Sequence, residues 1–156
     1  MSLNPQVTMK PVAELLPYQN NPRTHTRDQI AKVVRSIREF GWTNPILLDR
    51  DGMVVAGHAR LEAAKSIGLT EVPTICLSHL SSAQVRAYVI ADNQLALDAS
   101  WDEELLRLEL GALRGMDFDL SLTGLDSMDI DRMLAELDSS NGDEGLRSDE
   151  PTSGLQ

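Results

Sequence analysis

One stretch of this chain restricts its fold more than any other, because its pattern changes at a single glycine. Residues 53–56, "MVVA", are apolar throughout, which predicts a buried strand. The segment "GHARLEAAKSIG" follows at once and predicts a helix over 57–68 that ends at Gly68. A strand that passes directly into a helix needs a sharp corner, and Gly57 permits one because glycine has no Cβ.

The other patterns predict a small α+β sheet domain that is followed by further helices. Thr26 is a candidate N-cap, and apolar residues then recur at helical spacing up to Gly41, which we expect to end that helix as a left-handed cap. Pro11 predicts that the first strand lies at an edge, since proline cannot donate to a ladder. The predicted strands are 7–15, 44–49, 53–56 and 72–77, and the predicted helices are 27–40, 57–68, 80–97, 100–115 and 129–137.

Charge is distributed unevenly along the chain. The net charge of −10 combines ten basic and eight acidic residues over 1–97, a net of +2, with four basic and sixteen acidic residues over 98–156, a net of −12. The first part can approach a phosphate, whereas the second repels a polyanion. We expect a folded domain over 7–97, an acidic helical extension over 98–138, and a disordered tail or linker over 139–156.

The apolar runs and the cysteine content bear on the compartment. No apolar run approaches the roughly 18 residues of a membrane span, and the N-terminus does not resemble a signal peptide. Cys76 is the one cysteine, so an intramolecular disulfide is excluded. It lies in a predicted strand, where we expect a small core residue rather than a reactive thiolate. These features together predict a cytoplasmic protein.

The corner at Gly57 has the parts of a phosphate-binding turn. A helix start presents unpaired N–H groups and a partial positive charge, both of which favour an anion. Arg60 lies in the first turn and can bind a phosphate through two parallel hydrogen bonds, while His58 can donate or accept beside it. A simple glycine turn with an exposed arginine also explains residues 57–60, so the spacing leaves both interpretations open.

Two further polar segments are candidates for the same site. The loop "NNPRTHT" places Arg23 and His25 just before the first helix, and the alternative is a solvated loop. The segment "IADNQLA" places Asp92 and Asn93 inside an otherwise apolar helix, although both residue types are poor in helix interiors. Such a pair can hold Mg²⁺, which prefers oxygen ligands. Alternatively, the pair faces solvent or bonds to the local backbone.

The chain resembles the N-terminal domain of the ParB family in four motifs that occur in the same order, namely "NPR", "FGWTNPILL", "GHARLEAAKSIGLTEVPTI" and "ADNQLA". The resemblance covers residues 7–97 and implies the small mixed sheet with packed helices that this domain shares with sulfiredoxin. It is closest to the ParB-like domains at the front of phage and prophage DNA-modification methyltransferases, where the similarity continues to about residue 126.

The resemblance implies a function for each motif. In the ParB family the Gly-x-x-Arg turn holds nucleotide phosphates, and the Asn-Pro-Arg loop borders the nucleotide. The family's Glu-Asn pair helps to hold the metal, and it corresponds to Asp92 and Asn93 here. The implied ligand is therefore CTP or ATP with Mg²⁺. The residues predicted to bind nucleotide are Asn21, Arg23, His25, Gly57, His58, Ala59 and Arg60.

This sequence also departs from the family pattern. Ala59 and Glu62 stand where chromosome-partition members have arginine, and Leu95 ends a motif that usually ends in arginine, so positive charge is lost. The sulfiredoxin nucleophile is a cysteine at the position of His58, which argues against sulfinic acid reduction. The helix-turn-helix module that reads DNA in partition proteins is not recognisable over the acidic residues 98–138.

Three classes of function follow from the resemblance. The first is a nucleotide-binding module in DNA modification or partition, associated with a DNA methyltransferase domain or subunit, with any DNA bound through a partner domain and homodimerisation left open. The second is an enzyme: a nuclease or nucleotidase that uses His58 and Asp92 with His25, or a small-molecule kinase, because free-serine kinases of this fold carry a similar turn. The third is an interaction domain without a ligand.

Overall fold

The first part of the chain folds into a four-stranded mixed sheet. A computed structural model describes residues 4–19, 21 and 23–144. The sheet has the spatial order β1-β4-β2-β3, in which only the β4–β2 pair is parallel. Strand β1 lies at one edge of this sheet, which confirms the edge position that Pro11 predicts. The strands are β1 (Val7–Pro11), β2 (Ile46–Leu48), β3 (Val54–Ala56) and β4 (Glu71–Cys76).

Five α-helices in the described part of the chain follow the order that the sequence predicts. Both Thr26 and Ser81 form complete capping boxes, with Gln29 and Gln84 respectively, which fix where two of the helices begin. Gly41 ends the first helix with φ +80° and ψ −176°, so the expected left-handed helical cap is replaced by an extended conformation with positive φ. The helices are α1 (Arg27–Phe40), α2 (His58–Ser66), α3 (Ser82–Asp98), α4 (Glu103–Gly115) and α5 (Ser127–Glu144).

The core lies on both faces of β3. Successive side chains of a strand point to opposite faces, and Val54 and Val55 accordingly belong to two different clusters. Val54 packs with residues of β2, β4 and α2, whereas Val55 packs with Val85 and Val89 of α3. The end of β3 is therefore fixed between α2 on one side and α3 on the other. The first cluster comprises Val12, Leu15, Ile46, Leu48, Val54, Leu61, Ala64 and Val72.

The chain divides after Ser100 into two compact units. In the second unit Leu110 of α4 and Ile130 and Met133 of α5 are buried. Helix α5 is longer than predicted, so residues 139–144 of the expected disordered tail are helical, since extending a formed helix costs little once it is nucleated. The rest of that predicted tail lies outside the described residues. Over the part that is described, no helix combines the length and apolar character that crossing a membrane requires.

The expectation that Cys76 is a core residue is wrong. Val72 and Thr74 of β4 are buried, but Cys76 is the last residue of the strand and is exposed. Its Sγ lies 3.4 Å from the backbone carbonyl oxygen of Asp49. The alternation along a strand predicts on which face of the sheet a side chain lies, but it does not show how far along the strand that face is buried by other residues.

We expect Gly57→Ala to destabilise the first unit. Gly57 has φ +100°, and an added Cβ would lie 3.2 Å from Ile46 Cγ1 and 3.4 Å from Ile46 Cα. Left-handed backbone costs an L-residue about 1–2 kcal/mol, and the crowding against Ile46 adds to this cost. Urea unfolding followed by Trp42 fluorescence, in a Trp101→Phe background, measures the change in the free energy of unfolding.

Gly52→Ala is the matched control, because Gly52 has φ +80° but open space where the Cβ would lie. It should show the backbone cost without the contact with Ile46. Equal losses of stability in the two variants would contradict the argument from close packing.

Candidate functional site

A cavity of 340 Å³ opens where β3 ends and α2 begins. Its wall is formed by the loop before α1, by the corner between β3 and α2, and by the middle of α3. All of the residues that the sequence predicts for the site contribute to this wall, although they come from three separate segments. They are Asn21, Arg23, His25, Gly57, His58, Ala59, Arg60, Asp92 and Asn93; Pro22 of the predicted loop lies outside the described residues.

The N-terminus of α2 faces this cavity without a side-chain cap. Gly57 is the N-cap residue, with φ +100° and ψ +24°, and it has no side chain that could accept a hydrogen bond. The first hydrogen bond of the helix runs from the Leu61 N–H to the Gly57 carbonyl at 2.9 Å. The amides of residues 58–60 therefore have no acceptor within the helix. Helices α1, α3 and α4 each begin with a capping side chain, so this uncapped start differs from theirs.

Arg60 brings a cation to the same corner. It is half-buried, and burial lowers the pKa of its guanidinium while the nearby carboxylate of Asp92 opposes that shift. An arginine remains charged at physiological pH under such a perturbation. Arg23 is the second cation of the wall, and Asp92 is the anion that faces them. With neutral histidines the described lining carries a net positive charge, which favours an anionic ligand.

His58 has a fixed orientation and a neutral ring. The backbone N–H of Tyr18 donates to His58 Nε2 at 3.2 Å. A nitrogen that accepts a hydrogen bond carries no proton, so the neutral imidazole holds its proton on Nδ1. Burial lowers the pKa of His58, the neighbouring His25 lowers it further, and Glu62 opposes both effects. The ring thus links α2 to the preceding loop, and within the described residues its Nδ1–H donates to no acceptor.

A second link ties that loop to α3. Arg23 Nη1 donates to Asn93 Oδ1 at 3.0 Å, and Asn93 Nδ2 donates to the Val89 carbonyl one turn earlier at 2.7 Å. The carboxamide of Asn93 is therefore engaged at both ends, and its backbone bond agrees with the alternative interpretation of this helical asparagine. The backbone N–H of Arg23 in turn donates to Asn21 Oδ1 at 3.1 Å.

Asp92 is more available than Asn93 as a metal ligand. Its carboxylate is exposed and accepts a long hydrogen bond of 3.4 Å from the Tyr88 hydroxyl. Burial and the carboxylate of Asp92 both raise the pKa of Tyr88. Asn93 Oδ1, in contrast, already faces the guanidinium of Arg23, which would repel a divalent cation. Among the residues that the structure describes, no three His, Cys, Asp or Glu side chains converge as a metal site.

The sequence did not predict one wall of the cavity. Residues 41–44, between α1 and β2, line it together with Val33, Ser36 and Ile37 of α1. Trp42 also packs against the first core cluster, and its buried Nε1 has no hydrogen-bond partner within the described part of the chain. The motif "FGWTNPILL" contains these residues, and its polar Thr-Asn step beside a tryptophan was the signal that could have identified them.

Comparison with known proteins identifies the family. The model of the ParB N-terminal domain matches residues 2–93, which is more than half of the chain. The chain therefore belongs to the ParB N-terminal domain family, and its α+β fold is the ParB fold. This membership confirms the resemblance that the four motifs indicate.

Three relatives show how far the similarity extends. The ParB-like nuclease domain-containing protein YnaK of Escherichia coli K12 is 45% identical over 84 residues, which are 54% of this chain and 97% of that protein. The probable plasmid-partitioning protein ParB of Thermus thermophilus is 36% identical over 105 residues, 65% of this chain but 34% of that protein. The crystal structure of C-terminally truncated chromosome-partitioning ParB from Caulobacter crescentus, complexed with CTP-gamma-S, has a TM-score of 0.59 and 26% identity, and the match covers 69% of this chain and 62% of that one. The chain thus spans about a third of the partition protein from T. thermophilus.

A second family model corrects one expectation. The ParB-methyltransferase HTH domain matches residues 104–153, so a helix-turn-helix relative is recognisable after the first domain. Helices α4 and α5 form the described part of this match. The acidic composition concealed it, because net charge mainly describes exposed positions, whereas Leu110, Ile130 and Met133, which pack in this unit, are buried.

We expect the imidazole of His58 to titrate below its ordinary value of 6.5, which histidine NMR measures directly. Because the unfolded chain then binds a proton at a higher pH than the folded chain, His58 stabilises the fold above about pH 6.5 and this contribution is lost as the pH falls below it. In His58→Gln, which keeps an acceptor for the Tyr18 N–H but does not titrate, the free energy of unfolding should fall less between about pH 7 and pH 5.5. Identical pH profiles for the two proteins would contradict this assignment.

Proposed function

We propose that this chain binds a nucleoside triphosphate, CTP or ATP, with its phosphates at the turn formed by Gly57, His58, Ala59 and Arg60. The observation that carries the proposal is the uncapped start of α2, which opens into the same cavity as two arginines. Free amides, a helix dipole and guanidinium groups attract one kind of ligand, a multiply charged anion.

The shape of the cavity supports a ligand larger than a single phosphate. Its volume of 340 Å³ lies within the range of about 300–1,000 Å³ for small-molecule sites. Apolar side chains such as Val33 and Ile37 line the wall on the side of α1, where a base or sugar can pack. The similar ParB structure from C. crescentus is a complex with CTP-gamma-S, and this supports a nucleotide here.

Mg²⁺ is part of the same proposal, with Asp92 as its protein ligand. Magnesium usually keeps several waters and binds to one or two carboxylates together with substrate phosphates. The exposed carboxylate of Asp92 fits that role, since it faces the arginine corner. Asn93 can contribute its oxygen only when Arg23 leaves it, for example to bind a phosphate. When bound, the ion would neutralise charge on the phosphates.

The biological setting that we infer is DNA modification or partition. The helix-turn-helix family that matches the second unit is described by its association with ParB-methyltransferases, and several relatives are named as probable plasmid- or chromosome-partitioning proteins. A DNA methyltransferase domain or subunit is therefore the partner that we propose, with DNA reached through it, and homodimerisation would follow the partition relatives.

A nuclease or nucleotidase is the second candidate, which the name of the E. coli relative favours. His58 and Asp92 would then be catalytic, with His25 beside them. The hydrogen bond from the Tyr18 N–H occupies the lone pair of His58 Nε2, and Nδ1 carries the proton, so this ring must break that bond to act as a base through Nε2. Mg²⁺-dependent phosphate release or DNA cleavage that is lost in His58→Ala would favour this candidate over binding alone.

We expect Arg60→Ala to weaken the binding of CTP or ATP in the presence of Mg²⁺ by about 10- to 100-fold, since a charge-assisted hydrogen bond contributes about 1.5–3 kcal/mol. Isothermal titration calorimetry of both nucleotides measures the effect. Arg86→Ala is the matched control, because Arg86 is an exposed arginine of α3 outside the cavity wall. The proposal would fall if neither nucleotide bound the unmodified protein, or if both variants weakened binding equally.

Asp92→Asn tests the role of the metal separately. The substitution removes the charge that attracts Mg²⁺ but keeps the size of the side chain, so we expect the gain in nucleotide affinity on adding Mg²⁺ to shrink. In EDTA the same variant should bind nucleotide at least as well as the unmodified protein, because Asp92 then only repels phosphate. Titrations with and without Mg²⁺ give both quantities, and an unchanged dependence on Mg²⁺ would remove Asp92 from the proposed metal site.

A further inference from the structure

Helix α4 carries two apolar faces, and only one of them is buried. Leu110 is 1% exposed and faces the core of the second unit, whereas Leu105 and Leu108 are 60% and 52% exposed. At 100° per residue, Leu105, Leu108 and Ala112 share the side of the helix opposite Leu110. We call these three residues the outer stripe of α4. Trp101, two residues before the helix begins, is a further large apolar side chain that is 67% exposed.

The charges around the outer stripe are negative. Residues 101–142 carry eleven Asp and Glu against three Arg, a net charge of −8. By helical geometry Glu104 and Glu109 flank the stripe on its two sides. Neither of them is among the carboxylates that the described arginines of this unit contact.

The three described arginines of the second unit are all engaged by carboxylates. Arg107 and Arg132 share Glu136, at 2.6 Å and 3.2 Å, and Arg114 binds Asp138 at 2.8 Å. A helix-turn-helix that binds DNA needs cations for the phosphate backbone. In the described part of this unit each arginine would have to leave a carboxylate before it could serve that purpose.

We propose that the outer stripe of α4 docks a basic amphipathic helix of a partner protein. The apolar side chains of the stripe would contact the apolar face of the partner helix, and the flanking glutamates would select lysine or arginine beside that face. Amphipathic helices bind apolar protein surfaces in this way. A second copy of this unit complements it poorly, because it brings the same negative charge. Residues 145–156 of the chain also complement it poorly, since they contain one arginine and two acidic residues. This proposal rests on the second unit and is independent of nucleotide binding.

A labelled probe peptide tests the proposal on the full chain. The probe is a fluorescein-labelled helix of roughly five turns, with leucine on one face and lysine elsewhere, and fluorescence anisotropy measures its binding. We expect saturable binding that weakens about tenfold or more in Leu108→Ser, which removes a leucine from the interface. Leu97→Ser is the matched control, because Leu97 is a leucine of α3 that is even more accessible than Leu108, at 70% exposed, and its substitution should leave binding unchanged.

Peptide variants, a DNA duplex and the oligomeric state of the protein supply the deciding comparisons. A peptide of the same composition with its leucines scrambled off one face should bind more weakly, and a peptide with glutamate in place of lysine should not bind. Equal binding of the scrambled peptide, or no loss in Leu108→Ser while circular dichroism shows an intact fold, would overturn the proposal. It would also be overturned by a labelled DNA duplex that binds the unmodified protein at physiological salt but not Leu108→Ser, or by a homodimer that Leu108→Ser dissociates in sedimentation equilibrium.

Discussion

The corner at Gly57 fixes the geometry on which the rest of the first unit depends. Its positive φ turns the end of β3 directly into α2, and the missing Cβ lets the backbone approach Ile46 closely. Just before this corner, Val54 and Val55 lie on opposite faces of β3 in separate core clusters, so the corner cannot move without disturbing both. The amides of α2 are therefore held towards the cavity by core packing rather than by contacts within the cavity.

Two hydrogen bonds carry that rigidity into the loop before α1. The Tyr18 N–H is tied to His58 of α2, and the Arg23 guanidinium is tied to Asn93 of α3. The loop that closes one side of the cavity is thus anchored to α2 and α3, two of the helices that line it. Arg23 also borders a smaller groove beside Ile90 and Leu97 on the outer surface of α3. A ligand that draws Arg23 inward would change the surface of that groove as well.

Local signals predicted most of the fold, and the family resemblance supplied the candidate site residues, which line one cavity. The cap at Thr26 and the glycine at position 57 act within a few residues, so the sequence displays them directly. The bonds that orient the site join residues 40 and 70 positions apart, and no local pattern reports such pairs. The bond from Tyr18 engages Nε2 of His58, and the bond from Arg23 engages Oδ1 of Asn93, so these distant contacts leave the carboxylate of Asp92 as the more available metal ligand on α3.

The remaining differences have other physical causes. Trp42 lines the cavity because the segment between α1 and β2 passes beside the Gly57 corner. The position of that segment depends on tertiary packing, which local sequence patterns do not report. The helix-turn-helix relative was hidden because exposed positions tolerate acidic residues, so composition described the surface of that unit and not its fold. The charge on the surface of a helix and the pattern of its buried residues are separate properties, so the acidic surface of this unit does not show how its helices pack.

The exposed thiol at the end of β4 has a consequence for how the protein ages. Cys76 is the one cysteine of the chain, and it is accessible. A chain with one thiol can form one intermolecular disulfide, so air oxidation joins copies in pairs and cannot build longer covalent chains. Oxidised material would therefore separate on a non-reducing gel as a single additional band at twice the monomer mass.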